Sequence, residues 1–196
     1  MLILVRHGES TGNAAGLLLG RTDAPLTDRG RRQAAALAPL VAGATRVIAS
    51  PLRRAVETAR ALDLPCPIEV DERWIEVDYG ELDARPLDEV PREVWAAWRA
   101  DPGYRPAGGE SLADASLRVD DACAELFARA DEGARGPGDV VVVSHVSPIK
   151  AAVCWALGLG PEASWRLHLA TASLTTVRWG AGHPVLERFN AVGVVR

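Results

Sequence analysis

Lysine is almost missing from this chain. Lys150 is the only one among 196 residues, so positive charge rests on arginine. Arginine supplies rigid, forked N–H donors that suit oxyanions. Histidine is scarce too, with His7, His145, His168 and His183. Four histidines leave little material for a dinuclear metal centre, which needs clustered Asp and His ligands. Cysteine is limited to Cys66, Cys123 and Cys154, an odd number without metal-ligand spacing, so a reduced, cytoplasmic protein is expected. Excess positive charge is absent: the net charge is −4 and the isoelectric point about 5.6, which argues against nucleic-acid or anionic-membrane partners. Long apolar runs are absent as well. The opening MLILV is too short for a signal peptide or a membrane span. No Walker-type phosphate loop occurs. Repeats and low-complexity tracts are lacking, and the loosest segments are Pro102 to Gly109 and Gly133 to Gly138.

What is present suffices for one domain over residues 1–196, with 48% hydrophobic residues to fill a core. Leu2 to Val5, Arg46 to Ala49 and Val140 to Val143 are short, unalternating apolar runs. Such runs are typical of parallel strands covered on both faces. Ala172 to Trp179 and Pro184 to Phe189 read as later strands, and Ile68 to Val70 as a weaker one. Helical spacing fills the gaps. Thr27 caps one helix, in which Pro39 is a late kink or stop. Ser50-Pro51 and Ser147-Pro148 each read as an N-cap followed by proline, with Gly158 ending the second helix. Ser111 opens a long helix with Leu112, Ala115, Val119, Ala122, Leu126 and Phe127 on one stripe. Trp95 and Trp98 lie on a helix between Leu87 and Ala100, and read as core rather than as a substrate platform. Alternating strands and helices predict a three-layer α/β/α sandwich with a mostly parallel central sheet.

Open α/β sheets bind ligands beyond the carboxyl ends of their strands. Arg6 and His7 follow the first strand, Arg53 and Arg54 stand just past the second, and His145 follows the third. Two of these ends lead into helix N-termini, which favour anions. The convergence predicts a pocket for a small dense anion, most simply phosphate. His168 and His183 lack such a context and are read as structural.

These residues lie in motifs. LILVRHGESTGN (2–13), GRTDAPLTDRGRRQA (20–34), SPLRRAVETA (50–59), ERWIEVDYGELD (72–83), PAGGES (106–111) and VVVSHVSPIK (141–150) occur in that order. Together they resemble the histidine phosphatase superfamily, the phosphoglycerate-mutase-like proteins, over nearly the whole chain. The resemblance implies a phosphoglycerate-mutase-like fold and a histidine acid phosphatase-type phosphomonoesterase without cofactor or metal. It implies a phosphohistidine at His7, oxyanion contacts from Arg6, Arg54 and His145, and acid/base work by Glu76, four residues before Gly80. It selects Arg54 over Arg53, because the phosphate-binding arginine directly precedes alanine. Ser10, Asn13 and Arg21 are expected to contact substrate, a small-molecule phosphomonoester. Glu9 is expected to pair or face solvent, and Glu110 to support a helix start. Val146 departs from the pattern, since many members have glycine there. Valine keeps its N–H but excludes left-handed backbone, so a phosphate contact from it is left open. The tail, including RLHLATASLTTVRW (166–179), is similar to the α-ribazole phosphatase group, beside broad-specificity phosphatases. Two alternatives remain: a cofactor-dependent phosphoglycerate mutase, for which Leu82 to Ser111 leaves little room for a basic closing insertion, and an inactive phosphate-binding module. A homodimer is left open.

Overall fold

The computed structural model describes residues 1–131, 138–179 and 182–193. Most of the Gly133–Gly138 segment lies outside them. Six strands form one sheet: β1 (Leu2–Arg6), β2 (Ala44–Ala49), β3 (Ile68–Val70), β4 (Asp139–Ser144), β5 (Ser173–Trp179) and β6 (Pro184–Val192). Their order is β3-β2-β4-β1-β5-β6. The first four are parallel, while β5 runs antiparallel to β1 and β6 antiparallel to β5.

Alternation along β1 divides the core in two. Leu2 and Leu4 face one side, with Val140 and Val142, against Val119, Cys123, Ile149 and Ala152. Those partners lie on α6 (Leu112–Asp131) and α7 (Val146–Leu157). Ile3 and Val5 face the other side, with Val141 and Val143, against Ala55 and Ala59 of α4 (Arg53–Ala61) and against Leu37 and Val41. Because side chains alternate along a strand, one uninterrupted apolar run supplies both faces. The result is the three-layer sandwich.

Smaller elements complete the frame. Thr27 caps α2 (Asp28–Ala35) by accepting from the Gly30 N–H, a contact of about 1 kcal/mol. Pro39 sits in a separate short helix, α3 (Ala38–Val41), rather than late in the first. The four-residue α1 (Thr11–Ala14) follows β1, and α5 (Arg92–Ala100) carries Trp95 and Trp98. Ser111 Oγ accepts from the Asp114 N–H and caps α6. Gly158, with φ 65°, ends α7 in the left-handed conformation that glycine adopts at least cost. Among the described residues no helix is long and apolar enough to cross a membrane. All three cysteines carry free thiols.

Two helix starts differ from expectation. α4 begins at Arg53, not after Ser50, and the Ser50 hydroxyl is shared between the Leu52 N–H and the His145 ring. α7 begins at Val146, before Ser147-Pro148, with His145 as its N-cap residue. Proline is tolerated inside this first turn because its missing N–H would have had no intrahelical partner.

Candidate active site

Register brings three strand ends together. Val5 and Ala49 both pair with Val143, so β2, β4 and β1 finish in one row. The His7 N–H donates to the Ser144 carbonyl and the Ser50 N–H to the Val143 carbonyl, which extends that row by a residue. His7, Ser50 and His145 therefore meet although they are far apart in sequence. The loop after β1 is pinned from two sides. The Gly8 N–H donates to Thr58 Oγ1 on α4, and a Cβ on Gly8 would overlap the Gly30 carbonyl.

His7 is 3% exposed, and His145 1%. Their rings stand 5.0 Å apart between centroids. Burial, followed by the charges of Arg6 and Arg54, holds the His7 imidazole well below its ordinary pKa. Burial and then Arg54, His7 and Arg6 do the same for His145. Both shifts favour the neutral ring. His7 Nδ1 lies 2.7 Å from the Gly8 carbonyl, which can only accept. The proton is therefore on Nδ1, and the lone pair is on Nε2. His145 has the opposite tautomer. Its Nδ1 accepts from Arg54 Nε (3.2 Å), so its Nε2–H donates to Ser50 Oγ (2.7 Å). Both ring nitrogens of His145 are thus committed, and the second histidine presents no spare N–H in this arrangement.

The arginines differ in their obligations. Arg54 is 1% exposed and also donates to the carbonyls of Gly20 and Thr22. Two of its five N–H groups remain. Arg53 is exposed and pairs with Glu57 at 2.6 Å. Arg6 donates through Nη1 to the Leu169 carbonyl at 2.6 Å, while its buried Nε has no partner among the described residues. A buried donor left unmatched is costly unless a ligand meets it.

Both helix N-termini expected to attract an anion hold carboxylates of the protein itself. The Arg53 N–H at the start of α4 donates to Asp23. Glu76, 3% exposed, accepts from the N–H groups of Val77, Val146 and Ser147. Val146 occupies an ordinary helical position there, so the site has no need of a left-handed glycine. Its N–H is spent on Glu76.

A chamber of about 270 Å³ opens over this end of the sheet, with Arg6, His7, Asn13 and Glu76 in its wall. Arg54 and His145 lie one layer behind. Ser10 caps α1: its Oγ donates to Asn13 Oδ1 and accepts from the Asn13 N–H. That bond fixes the Asn13 amide oxygen and leaves its NH2 uncommitted among the described residues. Ser10 thus acts on Asn13 instead of lining the chamber. Arg21 stands outside, 3.6 Å from both Asp78 and Glu110. Glu9 pairs with Arg29, and Glu110 pairs with Arg118 rather than only supporting its helix. His168 and His183 are exposed and do not line the chamber.

The rest of the chamber was not anticipated. Trp95 and Trp98 line it together with Tyr79, Leu17, Leu18 and Trp165. Trp98 belongs both to this wall and to a small cluster with Leu18 and Val90, so the expectation of core packing described only half its role. Burial keeps Tyr79 a neutral phenol by raising its pKa. Lys150 and Ser147 also line the chamber. Helical spacing carried that signal, since both stand within a turn of Val146 on one helix.

The chain is similar to known proteins over nearly its whole length. The sequence profile of the histidine phosphatase superfamily (branch 1) matches residues 2–192. A protein of Yersinia enterocolitica named probable phosphoglycerate mutase GpmB is 35% identical over 188 residues, covering 90% of this chain and 83% of its own length. The solved structure of a mycobacterial glucosyl-3-phosphoglycerate phosphatase in complex with VO3 superposes with a TM-score of 0.86 at 30% identity, over 97% of this chain and 98% of that one. A putative α-ribazole-5′-P phosphatase from Escherichia coli gives a TM-score of 0.80 at 30% identity, over 98% of each chain.

Proposed function

The chain belongs to the histidine phosphatase superfamily, and we propose that it hydrolyses a small phosphomonoester through a phosphohistidine formed on His7. The observation that carries this reading is the state of His7: a neutral ring, its Nδ1–H tied to the Gly8 carbonyl, its Nε2 lone pair free at the wall of the chamber. Nε2 attacks phosphorus as the ester P–O bond breaks. Arg6, through its unmatched Nε, the Asn13 NH2 and the remaining N–H groups of Arg54 receive the equatorial oxygens. Such fixed donors act most strongly where water is excluded. His145 joins them by exchanging its Ser50 bond for a phosphate oxygen. Glu76, a carboxylate in the free site, takes up the proton of the bound monoanionic ester and gives it to the leaving alkoxide. As a carboxylate it then takes a proton from the water that attacks phosphohistidine, releasing phosphate and restoring His7.

The test is chemical. Rapid quenching without acid, with phosphorus-labelled substrate, traps an acid-labile, base-stable adduct on the parent protein and none on His7→Ala. Full turnover by His7→Ala refutes the mechanism.

The name of the Yersinia relative favours a second reading, a phosphoglycerate mutase that uses the same residues but returns the phosphoryl group to an acceptor. The two structurally similar phosphatases favour water as the acceptor. Stoichiometric release of inorganic phosphate separates the two. Binding of phosphate esters without turnover of any would mark an inactive module.

A further inference from the structure

We propose that Lys150 is a specificity-determining residue that receives a carboxylate carried by the leaving alcohol of the substrate. The inference rests on the reading that the chamber holds a phosphomonoester against His7, and it goes on to the chemistry of the other end of that ester.

Lys150 stands three and four residues beyond Ser147 and Val146 on α7, which puts all three on one helix face. Val146, Ser147 and Lys150 all line the chamber, so this is the face turned to the reaction centre. Lys150 lines the chamber and is half-buried. Among the described residues none forms a hydrogen bond or ion pair with its ammonium. That isolation contrasts with Arg46, Arg53, Arg105 and Arg118, each of which has a carboxylate partner. The nearby acid, Glu76, is spent on three backbone N–H groups and makes no ion pair with the lysine. Burial lowers the lysine pKa by more than the charge of Glu76 raises it.

The surrounding wall narrows the ligand. Leu17, Leu18 and Leu87 offer no polar groups to a hydroxyl-rich alcohol. Trp98 and Trp165 line the chamber as well, with their indole N–H groups buried within the wall. Tyr79, Ser147 and Ser164 supply the neutral hydroxyls of the wall away from Glu76, and Lys150 supplies an ammonium. The complement of a half-buried ammonium without a carboxylate partner is an anionic acceptor, and the apolar side chains around it suit an apolar stem. A carboxylate matches the single positive charge of Lys150, whereas a second phosphate dianion exceeds it.

The experiment measures binding, so that it stands apart from turnover. ω-Carboxyalkyl phosphonates and n-alkyl phosphonates of matched length bind at a phosphate site but cannot be hydrolysed. Their affinities are measured by titration calorimetry across a graded series of chain lengths, for the parent, Lys150→Met and Lys150→Arg. The parent should prefer the carboxylated member at the length that reaches Lys150. The affinity ratio within each matched pair should fall on the order of tenfold or more in Lys150→Met, as for loss of one charge-assisted hydrogen bond, and be partly restored in Lys150→Arg. Using a ratio within one variant cancels general damage to the fold. Equal affinities at every length in the parent, an unchanged ratio in Lys150→Met, or no phosphonate binding at all overturns the assignment. Failure to release phosphate from any ester, with the affinity ratio intact, overturns hydrolysis and leaves the role of Lys150 standing.

Discussion

Replacing His7 with glutamine gives a direct measure of the nucleophile's protonation state. In the unfolded chain a histidine takes up a proton below about pH 6.5. In the folded protein His7 and His145 stay neutral well below that, because burial and the Arg6 and Arg54 charges oppose a further positive charge. The unfolded state therefore binds more protons, and stability falls as pH falls from the unfolded value toward the folded one. Where both unfolded rings are charged and both folded rings neutral, unfolding takes up two protons. The slope is then about 2.7 kcal/mol per pH unit, or about 1.4 for each histidine. The carboxylates held low by arginine, Glu57, Asp71 and Asp114, enter only near their own unfolded values, around pH 4. The interval from about pH 6.5 to 5 thus reports on the histidines. Urea unfolding at closely spaced pH values across it should show a slope in His7→Gln shallower by about 1.4 kcal/mol per unit than in the parent. Equal slopes would mean that His7 titrates alike in both states, and the neutral nucleophile would be lost from the argument.

Four further outcomes follow from the site. Arg54→Ala should lower kcat/KM on the order of a hundredfold or more, as for removal of one preorganised donor, while Arg53→Ala, an exposed partner of Glu57, should be mild; the reverse order in steady-state assays refutes the choice between them. Glu76→Gln should slow alkyl phosphate hydrolysis far more than the burst of nitrophenol from p-nitrophenyl phosphate, because nitrophenolate leaves without a proton; equal loss in the burst phase moves the acid role to another carboxylate such as Asp78 or Glu81. Exhaustive chelation should leave the rate unchanged and vanadate should inhibit, whereas activity lost on chelation and restored by a divalent ion counts against an arginine-based site. Ser10→Ala, which leaves the Asn13 amide oxygen held by the Ser10 backbone N–H alone, should raise KM or lower kcat modestly without abolishing turnover, and no change in either would detach the Ser10 hydroxyl from the placing of Asn13.

Much of this architecture could be read from residue order because its causes are local. Leu2 to Val5 and Val140 to Val143 are apolar at every position, a pattern that only a strand covered on both faces satisfies. The motif residues His7, Arg6, Glu76 and Asn13 reach one chamber because a row of parallel strand ends is a consequence of topology, and topology follows from the alternation of strands and helices. Helix starts were less legible. Ser50 and Ser147 have the chemistry of N-caps, but the Ser50 hydroxyl is taken by His145, a residue ninety-five positions away.

The chain order of apolar and polar residues determined the layered sheet, the family signature and the identity of the two buried histidines. Tertiary structure alone decided how those groups spend their hydrogen bonds. Neighbours remote in sequence supply the partners: Glu76 occupies the α7 N-terminus that would otherwise attract phosphate, and Arg54 sets the tautomer of His145. Only folding brings such partners within reach, so the free Nε2 of His7, the unmatched Nε of Arg6 and the unpaired ammonium of Lys150 could not be read from residue order.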